Sequence, residues 1–288
     1  MSYTPPSDSD FNLEPAKPVK VEKPKVPEFE FDPNRSDLEV ARLIATDGGN
    51  DPQGGPIRFW SHSSLQQFGQ CPYRLFLRRV KKIKEPSGEA AERGSLIHDE
   101  CEAYVRGLRD EMPNGKKTIE FKSRFDLLRT LFNEGQVQLE ENWGFDIDWN
   151  PLEDDGALYK NKDLWCITKL DVFVRESDTS ALIIDHKTGK KWGNEVKHGA
   201  QALEYAISAF MKYPELEHVT AEFWYLDQGQ DMRRQYTRDD VMTMLPRLTE
   251  RAIKLTSATK FPAKPSDVAC RWCHYRTSGD CEFGDAIG

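Results

Sequence analysis

Most residues whose types and spacing could do chemistry fall between positions 98 and 205. Residues 181–190 read ALIIDHKTGK. On a strand, alternate side chains share a face, so Asp185 and Lys187 point one way and His186 the other. A carboxylate beside a lysine can hold a hard cation and stabilise negative charge on a phosphoryl group. A plain surface ion pair has the same signature. One strand earlier, Asp171 stands among Leu170, Val172, Phe173 and Val174. A carboxylate in such company is costly unless it is paired or binds a cation. If the two strands are neighbours, Asp171 and Asp185 can offer oxygens to one Mg²⁺ or Mn²⁺. His98, in RGSLIHDE, is either a further ligand or a satisfied core histidine. Gly94, four residues before it, tolerates a close backbone approach. Gln201 and Tyr205 lie at i and i+4 and share a helix face. They can hydrogen-bond a phosphate or a bound water, or simply form the polar edge of an amphipathic helix.

These residues need elements to position them. SHSSLQQFGQCPYRLFLRRV predicts two short helices or one broken at Pro72, opened by a Ser63/Gln66 capping box. EAAERGSLIHDECEAYVRGL predicts a helix that carries His98, with Leu96, Ile97, Ala103, Tyr104 and Leu108 available for its buried side. A third helix is expected over residues 122–141. LWCITKLDVFV and ALIIDHK, parted by the turn-like ESDTS, read as paired strands. The helix of Gln201 and Tyr205 follows and ends before Pro214. A hairpin turning near Gly229 and a last helix containing Pro246 come next. The C-terminus is irregular and rich in cysteine.

Of 288 residues, 38% are apolar and 31% charged, enough to bury a core. No apolar run approaches the roughly 20 residues that span a bilayer, and the N-terminus lacks the basic and apolar stretches of a secretory leader. The expected location is the cytoplasm, where thiols stay reduced, so the six cysteines read as metal ligands or core residues. Residues 1–56 hold nine of the 17 prolines and eleven acids against six bases. They are expected to be a disordered acidic tail, a spacer or a docking arm for recombination or replication proteins. Residues 57–288 are expected to form one domain. The net charge of −8 argues mildly against a nucleic-acid partner, but much of it sits in that tail. Residues 74–84 carry Arg74, Arg78, Arg79, Lys81, Lys82 and Lys84 with no acid. Such a patch can grip phosphates locally or be a solvated helix end.

Gly94-x-x-x-His98, Asp171, Asp185-x-Lys187 and Gln201-x-x-x-Tyr205, in that order and after a serine-led helix with Cys71-Pro72, resemble the RecB-like branch of the PD-(D/E)XK nuclease superfamily. The likeness covers about residues 61–281 and is nearest to single-domain phage exonucleases and the nucleases of CRISPR spacer acquisition. The literal Pro-Asp is missing, since Leu170 precedes Asp171. The resemblance implies an α/β (α+β) restriction-endonuclease-like core: a central mixed sheet flanked by helices, with a helical N-terminal part. It implies a metal-dependent DNA exonuclease using Mg²⁺ or Mn²⁺. His98, Asp171, Asp185 and the backbone carbonyl of His186 would bind the ion. Lys187 would orient the attacking water or stabilise charge, and Gln201 and Tyr205 would steady the substrate. A CRISPR-adaptation nuclease, or a DNA-binding or assembly subunit without activity, is the alternative. The intact Asp171, Asp185 and Lys187 disfavour the inactive reading.

The same resemblance bears on the cysteines. Members with an iron–sulfur cluster join one cysteine before the histidine motif to three near the C-terminus, and Cys71, Cys270, Cys273 and Cys281 occupy those positions. The seven residues between Cys273 and Cys281 exceed the expected gap. A 4Fe–4S cluster, a zinc ion and no metal all remain open. Arg74, Arg78, Arg79, Lys81 and Lys82 would touch DNA. Cys101 and Cys166 are expected in the core.

Overall fold

The structure is a computed structural model and describes residues 51–284. The expected tail lies outside them, except residues 51–56. Two of those six are bonded to the end of the last long helix: Gly55 N–H reaches the Thr256 carbonyl at 2.8 Å, and the Thr256 hydroxyl donates to the Pro52 carbonyl at 2.6 Å.

Two short helices open the fold, α1 (His62–Gln70) and α2 (Pro72–Arg79). Pro72 takes the first position of α2, where its missing N–H costs nothing. The cap of α1 is Ser61 and not Ser63. Its N–H donates to Ser64 Oγ at 2.8 Å, so the box sits two residues earlier than expected. Helix α3 (Glu89–Val105) carries His98 and buries Ile97, Cys101, Tyr104 and Val105. Leu96 and Leu108, expected inside, are exposed.

The third expected helix is shorter. α4 (Lys122–Asn133) stops where Gly135 adopts φ +78° and Gln136 N–H returns to the Leu131 carbonyl. The chain then forms β1 (Val137–Phe145). β2 (Pro151–Leu152), β3 (Cys166–Arg175) and β4 (Ser180–Lys187) follow, then α5 (Glu195–Lys212), β5 (His218–Tyr225), β6 (Gln230–Thr237) and α6 (Arg238–Thr256). Two one-turn helices, α7 (Asp267–Cys270) and α8 (His274–Thr277), close the described chain.

The strands form one sheet in the order β2-β1-β3-β4-β5-β6. It is mixed: β4 and β5 are parallel, joined by α5, and every other pair is antiparallel. Apolar layers cover both faces. Ala202, Tyr205, Ala206 and Phe210 of α5 pack with Phe173, Ile183 and Phe223 on one side. Ile97 and Tyr104 of α3 and Phe125 of α4 pack with Val172, Ile184 and Trp224 on the other. This is the α/β restriction-endonuclease-like arrangement, a sheet between helices. No helix among the described residues is long and apolar enough to cross a membrane.

One irregularity matters. Val137 and Leu139 of β1 belong to the α3 layer, yet Trp143 and Phe145, on the same parity, belong to the α5 layer. β3 does the same: Cys166 and Leu170 lie in the α5 layer, Val172 and Val174 in the α3 layer. Both strands change face near one rung, Glu140 opposite Asp171. That rung is missing from their ladder, and Glu140 has φ +55°.

Candidate active site

The sheet forks at the two acids. β3 and β4 pair from Arg175↔Ala181 to Val172↔Ile184 and stop. The next rung would set Asp171 opposite Asp185. Beyond it β4 continues along β5, with Asp185↔Phe223 and Lys187↔Tyr225, while β3 continues along β1. The missing ladder bonds are replaced by the acid itself: Asp171 Oδ2 accepts the His186 N–H at 2.7 Å.

Each acid is then gripped from a different layer. On the α3 side, His98 Nδ1 lies 3.2 Å from Asp171 Oδ2. A Cβ on Gly94, one turn earlier, would come within 3.3 Å of the Thr188 hydroxyl, so a small residue keeps α3 close to the end of β4. On the α5 side, the Tyr205 hydroxyl donates to Asp185 Oδ1 at 2.5 Å and Gln201 Nε2 donates to the same oxygen at 3.2 Å. Gln201 also donates to the Tyr205 oxygen at 2.7 Å. The Lys187 ammonium stands 2.5 Å from Asp185 Oδ2. The structure therefore brings His98, Asp171, Asp185, Lys187, Gln201 and Tyr205 to one place. The His186 main chain is there as well. Its ring is buried on the α3 side, stacked on Phe125 with centroids 5.4 Å apart.

Sequence reasoning missed Glu140. It, His98 and Asp171 each present a ligand atom, all within 4.8 Å of one another. A non-glycine residue at φ +55° costs about 1–3 kcal/mol, and such strain collects at functional sites. The available signal was Gly135. Read as the stop of α4, it leaves V-Q-L-E as the start of an alternating strand that pairs with β3.

The charges follow from this packing. Burial opposes charge on His98, but the hydrogen bond and charge of Asp171 outweigh it and hold the imidazole up at about 9. His186 is buried among Phe125 and Trp224, and burial pushes it down to about 4. Burial would raise Asp171, yet His98 and the His186 N–H hold it below the usual carboxylate range. Burial and the neighbouring Asp171 raise Asp185 despite Lys187 and Tyr205. Partial burial and the charges of Asp171 and Glu102 bring Glu140 to about 7. Asp185 Oδ2 is buried and, apart from the Lys187 ammonium, has no hydrogen-bond partner. Carboxylate oxygens and one imidazole, with a buried oxygen left over, fit a divalent ion of the Mg²⁺ or Mn²⁺ type.

The cysteines lie elsewhere. Cys71, at the α1–α2 junction, and Cys270, Cys273 and Cys281 line one cavity with Arg74 and Leu77. Burial raises the Cys281 thiol, and the other three thiols add to it. Cys101 and Cys166 are buried in the α3 and α5 layers. Of the basic run, Arg74 lines the cysteine cavity too. Arg74 pairs with Glu85 at 2.6 Å, the Arg79 guanidinium sits 4.9 Å from the Phe59 centroid, and Lys81 lies over Phe76. Among the described residues, Arg78 and Lys82, like these three, make no ion pair with the carboxylate group.

The family model of the PD-(D/E)XK nuclease superfamily matches residues 59–148 and 167–278. The chain belongs to that superfamily. Membership implies a metal-dependent nuclease, and PD-(D/E)XK nucleases use divalent ions, usually Mg²⁺ or Mn²⁺. Among solved structures the chain is similar to SSO0001, at 14% identity and a TM-score of 0.44, covering 85% of this chain and 94% of that one. It is also similar to LHK-Exo, solved in complex with dAMP, at 15% identity and a TM-score of 0.33, covering 70% of this chain and 87% of that one. No curated protein matches it.

Proposed function

We propose that this protein is a Mg²⁺- or Mn²⁺-dependent deoxyribonuclease that acts on DNA ends, an exonuclease for recombination, repair or phage replication. The observation that carries this reading is the fork: two acids facing across the split between β3 and β4, with Lys187 2.5 Å from one and His98 3.2 Å from the other. His98, Asp171, Asp185 and the His186 carbonyl hold the ion, and Glu140 joins them. A bound divalent ion polarises a phosphoryl oxygen and lowers the pKa of its water. Lys187 offers its ammonium to the charge that develops on the phosphate as the bond breaks. Tyr205 and Gln201 keep Asp185 aimed, so the carboxylate need not reorganise during the reaction. The open groove where Ala90, Ala91, Gly94 and Ser95 of α3 face Glu140 and Thr188 leads to these residues. Its small side chains let a phosphate backbone come close. The basic run in and just after α2 is a second DNA contact.

The four cysteines hold a 4Fe–4S cluster in this reading. A single zinc would draw its thiolates to about 3.8 Å from one another, given Zn–S bonds near 2.3 Å. Four thiolates can instead bind the four irons of one cluster, and Cys71, Cys270, Cys273 and Cys281 line a single cavity. Bound there, it ties α2 to the C-terminal segment.

End dependence is tested with one sequence in two forms, linear and covalently closed circular, incubated with Mg²⁺. Mononucleotides or short products from the linear form alone are expected. Nicking of the closed circle at an equal rate would replace the exonuclease with an endonuclease.

A further inference from the structure

We infer that Trp192 is a stacking platform for an unpaired base of a single DNA strand entering the carboxylate fork. The inference rests on the nuclease reading above and adds the state of the substrate. Five of the seven tryptophans are buried to 2% exposure or less. Trp192 is 69% exposed, although the loop that bears it, residues 188–194, is tied down at several points. Lys191 donates its N–H to Gln228 Oε1 at 2.8 Å and its ammonium to the Asp231 carbonyl at 2.7 Å. Asn194 Nδ2 reaches the Lys190 carbonyl at 2.8 Å. Gly193, at φ +85°, donates to the Glu195 carboxylate at 2.7 Å. A loop so braced holds a large aromatic face in water where a polar residue would serve the fold as well.

The surroundings fit one occupant. Residues 187–198 contain Lys187, Lys190, Lys191 and Lys197 against one acid, Glu195, and that acid is engaged by Gly193. Lys190 and Lys197 are exposed and have no carboxylate partner among the described residues. The Lys191 ammonium lies 5.8 Å from the Trp192 ring centroid. Cationic side chains around an exposed aromatic face are how proteins hold single strands: lysines follow the phosphates and the ring stacks on any base. Paired bases within a duplex are already stacked and present no free face. The platform also lies near the cut. Trp192 is five positions after Lys187, so their Cα atoms are at most about 18 Å apart, a few nucleotides.

The test is fluorescence anisotropy of the full chain in EDTA, which prevents cleavage, with a labelled oligo-dT and an abasic oligomer of equal length. Trp192→Ala is expected to weaken oligo-dT binding about 10-fold, in line with the stacking contribution of one base. Abasic binding should be unchanged, and Trp192→Phe should restore most of the loss. Unchanged oligo-dT affinity in Trp192→Ala, or an equal loss on the abasic strand, overturns the inference. If the wild type cuts DNA but Trp192→Ala behaves like it in this assay, only the stacking role falls. If the wild type neither binds nor cuts DNA, the nuclease reading falls with it.

Discussion

The carboxylate fork and the cysteine cavity both gather possible metal ligands, but the chain prepares them differently. At the fork Asp171 and Asp185 are both already held by protein. Asp171 has His98 and the His186 N–H, and Asp185 has Tyr205, Gln201 and Lys187. These contacts sit on a continuous sheet with an apolar layer on each face. At the cavity, Cys270 and Cys273 lie on or beside one-turn helices, Cys281 follows them in irregular chain, and Cys71 comes from the other end of the described residues. The apolar cluster there is small, with Leu77, Cys273 and Tyr275 buried. A preorganised site can lose its ion and keep its shape. A site whose surroundings bury little relies on what it binds.

That contrast is broken or sharpened by five measurements. Lys187→Ala should lower the cleavage rate about 10³-fold, as removal of a charge-stabilising donor does. Its Tm should stay within a few degrees, since Lys187 is partly exposed. A large Tm loss with activity retained would put Lys187 in the fold and not in the chemistry. Cys273→Ser should act the other way, costing several kcal/mol and lowering Tm by about 10 °C. Protein purified without air should lose its iron in this variant. Stoichiometric zinc and no iron in the wild type would exclude the cluster. Tyr205→Phe removes the 2.5 Å bond to Asp185 and should reduce activity about 10- to 100-fold, more in kcat than in KM. Glu140→Gln should weaken Mn²⁺ binding about 10-fold by calorimetry; an unchanged affinity would leave Glu140 outside the ligand set.

The smallest effect is in pH. His98 is held at about 9, above its ordinary value near 6.5, because Asp171 favours its charged form. A raised histidine contributes stability fully present below about 6.5 and lost as pH rises through about 9. Metal-free protein should therefore lose Tm over that range, and His98→Ala should flatten the slope. An ion must also displace this proton, so Mn²⁺ affinity should climb with pH up to about 9. A flat affinity from pH 6.5 to 9 would show that His98 is not a ligand.

The sequence made much of this legible. Strands β3 and β4 announce themselves by β-branched and aromatic runs, and α5 by its period, so Asp171, Asp185, Lys187, Gln201 and Tyr205 could be named before any coordinates. Glu140 could not. Its strand begins V-Q-L-E-E-N, whose charges read as the continuation of α4, and only Gly135 marks the stop. The face change at Glu140 and Asp171 was also hidden, because alternation assumes a regular strand. That Arg74 lines the cysteine cavity depends on how α2 packs. Local pattern does not fix that.

The central claim, that the fork cuts DNA with a divalent ion, is tested most directly with end-labelled single- and double-stranded DNA. Wild type and Lys187→Ala are incubated in parallel with Mg²⁺, Mn²⁺ or EDTA. Release of label or a product ladder from wild type with metal, and from neither protein in EDTA, is the predicted result. No cleavage by wild type on any strand, or full activity in Lys187→Ala, would contradict it.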